Sequence, residues 1–294
     1  MSEAAAQRIR RMVIPALRAV DALSGESARA SSPYRIAEAA GYDLDPWQRD
    51  VLASDKRQMI LLCSRQSGKS TVTSVLALWE ALSNPGALIL LMAPAERQSL
   101  ELFRKIRLAY NAAREVLPEL KKETGSEWEF TNSSRIVCLP GKEQTIRGYS
   151  GASLLVVDEA SRVPDALYSS IRPMLAVSKG RIVLLSTPFG KRGFFFQEWT
   201  EGGPDWHRAK ITAYECPRID PGWLEQERER IGDWWFEQEY FCEFKEAEDA
   251  VFRHSDIQRA LSDPSVSPMF PDISVTPPRL HSARTDDLSV RPMF

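Results

Sequence analysis

The chain has 294 residues, 43% hydrophobic and 27% charged, with a formal net charge of −2. That supports one well-packed domain with a small appendage, and it gives no general case for a nucleic-acid binder, so any DNA site must come from local patches. There is no apolar run of membrane-spanning length and no secretory signal. The four dispersed cysteines (Cys63, Cys138, Cys216, Cys242) form no metal-binding spacing and read as buried thiols of a reducing, cytosolic compartment.

Residues 1–45 read as a peripheral helical arm. It has a helix-like stretch over Ile9 to Leu23, a Ser/Gly-rich break from Ser24 to Ser32, and a second short helix ending at Gly41. Its Arg8, Arg10 and Arg11 either touch DNA or line a solvated face. Asp45-Pro46-Trp47-Gln48 then starts a helix, with Asp45 as N-cap and Pro46 at the first helical position. A carboxamide can pair with both N6 and N7 of adenine, which makes Gln48 a candidate for base recognition, with Trp47 packed nearby.

The apolar run Met59 to Leu62 predicts a buried strand. A polar turn follows, and Gly68-Lys69-Ser70 opens a segment with helical apolar spacing (Val72, Val75, Leu76, Trp79). Strand, loop, Gly-Lys-Ser and helix form the context of a phosphate-binding P-loop, in which backbone N–H groups and the helix N-terminus cradle phosphate oxygens. On that reading Ser64, Arg65, Gln66, Ser67, Gly68, Lys69, Ser70 and Thr71 surround the phosphates of ATP. Lys69 reaches the β- and γ-phosphates, and the Ser70 hydroxyl ligates Mg²⁺. One departure is that Cys63 stands where the usual motif has its first glycine. The plain alternative is an ordinary strand-to-helix turn with a solvated lysine.

Ala87 to Ala93 has the continuous apolar character of a strand buried on both faces. A long helix is expected from Glu96 to Leu117, with an apolar stripe through Leu102, Ile106, Ala109, Ala113 and Leu117. Arg97, Arg104, Arg107 and Arg114 lie on its far side, either tracking a phosphate backbone or meeting solvent. Trp128 to Phe130 and Arg135 to Leu139 predict a hairpin. Leu154 to Glu159 reads as a central strand delivering two carboxylates at its carboxyl end, where doubly wound sheets bind ligands. Asp158 would complete the Mg²⁺ shell opposite Ser70, and Glu159 would orient and deprotonate the attacking water. The next strand, Arg181 to Leu185, ends in Ser186-Thr187-Pro188, whose hydroxyls are placed to sense the γ-phosphate.

Trp206 to Ala213 predicts a further strand, and Pro221 to Phe244 a small aromatic helical lobe. Beyond Glu246 frequent prolines and few large apolar residues predict a poorly ordered tail. The expected organisation is an arm over 1–45, an α/β P-loop domain over 46–205, a linker lobe over 206–252 and a tail over 253–294.

In this order the elements resemble the ATPase half of the large terminase subunit of tailed bacteriophages. The likeness is carried by Pro46-Trp47-Gln48, the variant Walker A loop Ser64 to Ser70, the Walker B strand Leu155 to Ala160, and Ser186-Thr187-Pro188 as a coupling motif. Terminases tolerate loss of the first loop glycine and commonly place arginine where Arg65 stands. The resemblance implies an ASCE/RecA-like fold with a mostly parallel sheet between helices. It also implies Mg²⁺-dependent ATP hydrolysis and packaging of viral double-stranded DNA in the bacterial cytoplasm. Its implied partners are a small terminase subunit, a portal and further copies in a ring. By the same likeness Arg65 acts as a γ-phosphate sensor or arginine finger, or else braces the loop through a salt bridge, while Arg147 or Arg192 could serve a neighbouring subunit. Large terminases continue into a two-metal nuclease domain. Here Asp263, Asp272, Asp286 and Asp287 fall in the expected tail, without strands to gather them, so nuclease activity is not expected. Two alternatives remain at this stage, a helicase-like DNA-dependent ATPase and a nucleotide-bound assembly component without productive turnover.

Overall fold

Alternation along the first strand sets the layering of the sheet. In β1 (Gln58–Cys63), Met59 and Leu61 face one apolar layer while Ile60 and Leu62 face another, and all four are buried. A strand apolar on both sides needs cover on both sides, which is the parallel-sheet condition. The computed structural model describes residues 32–139 and 148–246. The arm helix expected over 9–23, Arg147 and the tail expected over 253–294 lie outside the described residues.

Two short helices, α1 (Pro33–Ala39) and α2 (Pro46–Ala53), precede β1. The chain then runs through α3 (Lys69–Ser83), β2 (Leu88–Met92), α4 (Glu96–Ala112), β3 (Leu120–Glu123), β4 (Glu127–Phe130) and β5 (Arg135–Cys138). It continues through β6 (Leu154–Asp158), α5 (Asp165–Ile171), β7 (Arg181–Ser186), α6 (Gly193–Thr200), β8 (Trp206–Ile211), α7 (Pro221–Ile231) and α8 (Asp233–Glu239). The strands form one sheet in the order β3-β4-β5-β2-β6-β7-β1-β8. From β5 to β8 every neighbour pair is parallel, and β3 and β4 extend one edge in antiparallel fashion. Helices α1 to α4 contribute to one layer and α5 and α6 to the other. This is the ASCE/RecA-like P-loop arrangement, with β7 inserted between the strand that leads into the Gly-Lys-Ser turn and the strand that ends in Asp158.

Three expectations need adjusting. Trp206–Ile211, assigned from sequence to the linker lobe, pairs along the whole of β1 and so belongs to the main sheet. The lobe's own small core, built on Ala213, Leu224, Phe236 and Tyr240, begins only after it. The long helix is regular only to Ala112, and its expected last turn is a tight 3₁₀ turn over Arg114–Val116. The basic stripe on α4 is partly committed within the chain. Arg104 lies 3.6 Å from Glu101, and Arg107 lies 3.4 Å from Glu123 with its guanidinium over Phe103 and Trp128.

Candidate nucleotide-binding site

β1 delivers the loop Ser64–Gly68 to the carboxyl edge of the sheet, and α3 starts at Lys69. The backbone turns back through two left-handed residues, Gln66 (φ 59°) and Gly68 (φ 94°). Cys63 can replace a glycine because nothing at its position asks for glycine's freedom. It is the last paired residue of β1, its side chain joins the core, and burial pushes its thiol up to about 12, so it stays neutral. Gly68 is different. At its left-handed φ a side chain is strained, and a Cβ there would lie 2.7 Å from Gln48 Nε2 and 3.2 Å from an Arg218 terminal nitrogen. Gly68→Ala is therefore expected to cost about 1–2 kcal/mol of stability, read as a lowered denaturation midpoint.

Register brings the acidic pair to the same edge. Asp158 of β6 aligns with Leu185, and Leu62 of β1 aligns with Ser186, so β7 separates the two functional strand ends by one strand width. Across that gap Lys69 Nζ donates to Glu159 Oε1 at 2.8 Å, with the two side chains 13% and 25% exposed. Burial pulls the Lys69 ammonium down, but the charges of Glu159 and Asp158 outweigh it and leave Lys69 above its usual range. Asp158 is held above the ordinary carboxylate range by burial, against the opposing charge of Lys69. Glu159 itself sits at φ 50°, a left-handed conformation that a non-glycine residue holds only when its surroundings enforce it. Two bonds do so here. The Glu159 N–H donates to Asp158 Oδ1 at 2.9 Å, and the Arg162 N–H donates to the Glu159 carbonyl at 2.9 Å.

The remaining predicted residues divide between the carboxyl edge of the sheet and the segments that support it. The Ser70 hydroxyl accepts from Lys105 Nζ at 2.9 Å, and Thr71 donates its N–H to the Gly68 carbonyl at 3.0 Å. The Ser64 N–H donates to the Ile211 carbonyl at 2.9 Å, which ties the loop to β8. Gln48 is buried, and both ends of its carboxamide are engaged. Its Oε1 accepts the Asp45 N–H at 2.9 Å and its Nε2 donates to the Gly68 carbonyl at 3.2 Å. In this arrangement Gln48 is a brace between α2 and the loop, so the adenine role read from sequence would require those two bonds to exchange. Of the two readings of Arg65, the structure displays the loop brace. Its Nε donates to Glu239 Oε2 at 2.6 Å, and its N–H donates to the Glu239 carbonyl at 3.4 Å.

Ser186 and Thr187 are buried and linked to the Walker B turn through Ser161. Ser161 Oγ lies 2.7 Å from Ser186 Oγ and donates to the Thr187 carbonyl at 2.8 Å. Arg192 stacks over Phe189 at 4.7 Å. Sequence reasoning missed Lys105, Ser161, Arg218 and Glu239. Arg218 is notable because it pairs with both oxygens of Asp45, at 2.9 and 2.6 Å, and donates to the Ser67 carbonyl at 3.1 Å. Only Ser161 stood in a recognisable place, two residues after Glu159.

With this geometry in view, comparison with known proteins decides the lineage. The family described as "Terminase large subunit, T4likevirus-type, N-terminal" matches residues 60–259. The chain belongs to this terminase family. A large terminase subunit of Thermus phage G20c is 27% identical over 254 residues, covering 75% of this chain and 52% of that protein. The chain spans about half the length, or less, of the curated terminases it matches. Among solved structures, the large terminase ATPase domain of Thermus phage P74-26 superposes with a TM-score of 0.64 at 23% identity, covering 71% of this chain and 97% of that one. The large terminase of another thermophilic bacteriophage, in complex with ATP-γ-S, superposes with a TM-score of 0.55 at 14% identity, covering 71% and 52%. These likenesses establish the shared fold. Among the described residues no helix is long and apolar enough to cross a membrane, and no three His, Cys, Asp or Glu side chains cluster as a metal site.

Proposed function

We propose that this chain binds ATP at the Ser64–Thr71 loop and hydrolyses it, as the motor portion of an assembly that drives viral double-stranded DNA into a capsid. The observation that carries the reading is the meeting of Lys69 and Glu159 at 2.8 Å across the carboxyl edge of the sheet, in a chain of the terminase family. A γ-phosphate entering there would take the Lys69 ammonium from Glu159 and leave the carboxylate free to accept a proton from the attacking water. Arg65, once exchanged from Glu239, would add positive charge to the transferring group. Ser186-Thr187-Pro188, joined to the Glu159 turn by Ser161, is the proposed route by which hydrolysis reaches the DNA-gripping parts of the assembly. A small subunit, a portal and further copies of this chain in a ring are the proposed partners. Arg192 remains a candidate for a neighbouring copy's site.

The donor set suits Mg²⁺. Ser70 Oγ and the Asp158 carboxylate are hard oxygen donors, few enough to leave room for phosphates and water, and Ser70 Oγ already accepts from a cation. Those two residues would hold the ion, which when bound would neutralise charge on the β- and γ-phosphates. The test is steady-state phosphate release with Mg²⁺, with and without double-stranded DNA. Slow turnover alone and faster turnover with duplex is the expected result. No ATP-dependent phosphate release in either condition would overturn the reading, and efficient unwinding of a forked duplex would favour a helicase instead.

A further inference from the structure

Lys105 lies on α4, more than thirty residues beyond the loop, and the reading above gives it no role of its own. Its Nζ donates to the Ser70 hydroxyl at 2.9 Å, the oxygen proposed for the metal. Lys69 is engaged elsewhere, on Glu159. The pocket edge therefore carries two ammonium groups with separate partners. One belongs to the loop motif. The other reaches in from a different helix and sits on the hydroxyl that a divalent cation would need.

We propose that Lys105 is a resident cation of the nucleotide site, one that holds the Ser70 hydroxyl in place of the metal and must leave it when Mg²⁺·nucleotide loads. The inference rests on the nucleotide reading above and deepens it. Its physical basis is that an ammonium and a divalent cation held on one hydroxyl oxygen stand close to each other in a partly buried site, where like charges repel. Two consequences follow. Lys105 competes with the metal, raising the Mg²⁺ concentration needed for tight nucleotide binding. In the absence of metal it supplies part of the missing positive charge, so the protein keeps measurable affinity for a nucleoside diphosphate. Because Lys105 projects from α4, which packs on α3, its release also gives that helix a direct report of metal–nucleotide loading.

The experiment compares wild type, Lys105→Met and Lys105→Arg in a fluorescence titration with a labelled ADP. Binding is measured in chelator and then across a Mg²⁺ series. In chelator, Lys105→Met is expected to weaken ADP binding about tenfold, the scale of one charge-assisted hydrogen bond. Across the series its Mg²⁺ midpoint should fall by about threefold or more, because the competitor is gone. Lys105→Arg should stay near wild type in chelator. Matched thermal unfolding of the three proteins separates these shifts from misfolding, since a destabilised variant would lose affinity in both conditions. Two results overturn the proposal and leave the nucleotide reading standing: binding with an unmoved Mg²⁺ midpoint, or a midpoint that rises in Lys105→Met. Absence of ADP binding by the wild type at every Mg²⁺ concentration would overturn both.

Discussion

Glu159→Gln is expected to bind ATP within about threefold of wild type while hydrolysis slows by about 10²–10⁴, the range contributed by a positioned general base. The glutamine keeps the length and branching of the side chain, so it can fill the same left-handed position at φ 50° and still accept a hydrogen bond from Lys69. It cannot take the proton from water. Removing the charge also loosens the Lys69 pair, which leaves the ammonium more available to phosphate, so affinity should hold or improve slightly. Single-turnover hydrolysis beside equilibrium binding reads the two effects separately. A rate within twofold of wild type would place the base elsewhere. A parallel loss of binding and rate would point instead to collapse of the turn that Glu159, Asp158 and Arg162 form together.

What the sequence made legible was whatever has a local physical signature. β1, β2, β6 and β7 are runs of branched and long aliphatic residues buried on both faces, and such runs have few alternative structures. The Gly-Lys-Ser turn and the Asp158-Glu159 pair were visible because each sits at the carboxyl end of such a run, and the register of β1, β7 and β6 then makes their meeting nearly unavoidable. β3 was not legible. Leu120-Lys121-Lys122-Glu123 has a single apolar residue, and it becomes a strand through antiparallel pairing with β4 at the sheet edge.

Side-chain partnerships across long sequence separations were equally hidden. Arg65 and Glu239 stand near opposite ends of the described chain, as do Asp45 and Arg218, and nothing in either neighbourhood selects the other. Yet these pairs decide how the site is held. Arg218 reaches the loop at the Ser67 carbonyl, and Glu239 grips it at both the side chain and the backbone N–H of Arg65, so residues that follow β8 brace the loop at two points. Gln48 is a related case. Its offset from the loop suggested base recognition, and its burial and two internal hydrogen bonds add a bracing task that no spacing argument predicts.

Lys69→Ala should have the other large effect, and on two separate quantities. Nucleotide affinity is expected to fall about 10²-fold, since a charge-assisted contact to phosphate is lost, and hydrolysis should fall with it. Stability should also fall, in a pH-dependent way. Asp158 is already raised by burial, and Lys69 is the first of the charges that oppose that rise. Without the ammonium, Asp158 is pushed further up, and a carboxyl whose folded pKa lies above its unfolded value destabilises the fold progressively as pH climbs past the unfolded value. The wild-type Lys69 contribution has the complementary sign. Its pKa is raised, so the stability it brings is complete below the ordinary lysine value and is lost only as pH rises through the higher folded one. The gap between the two proteins should therefore widen as pH rises above the ordinary aspartate value. It should reach about 2 kcal/mol near pH 7.5, below the full cost of breaking a dry buried pair because a quarter of the Glu159 side chain meets solvent. Urea denaturation at about pH 5.5 and 7.5 measures the difference, and an equal gap at both values would mean that the ammonium is not what neutralises the acidic pair.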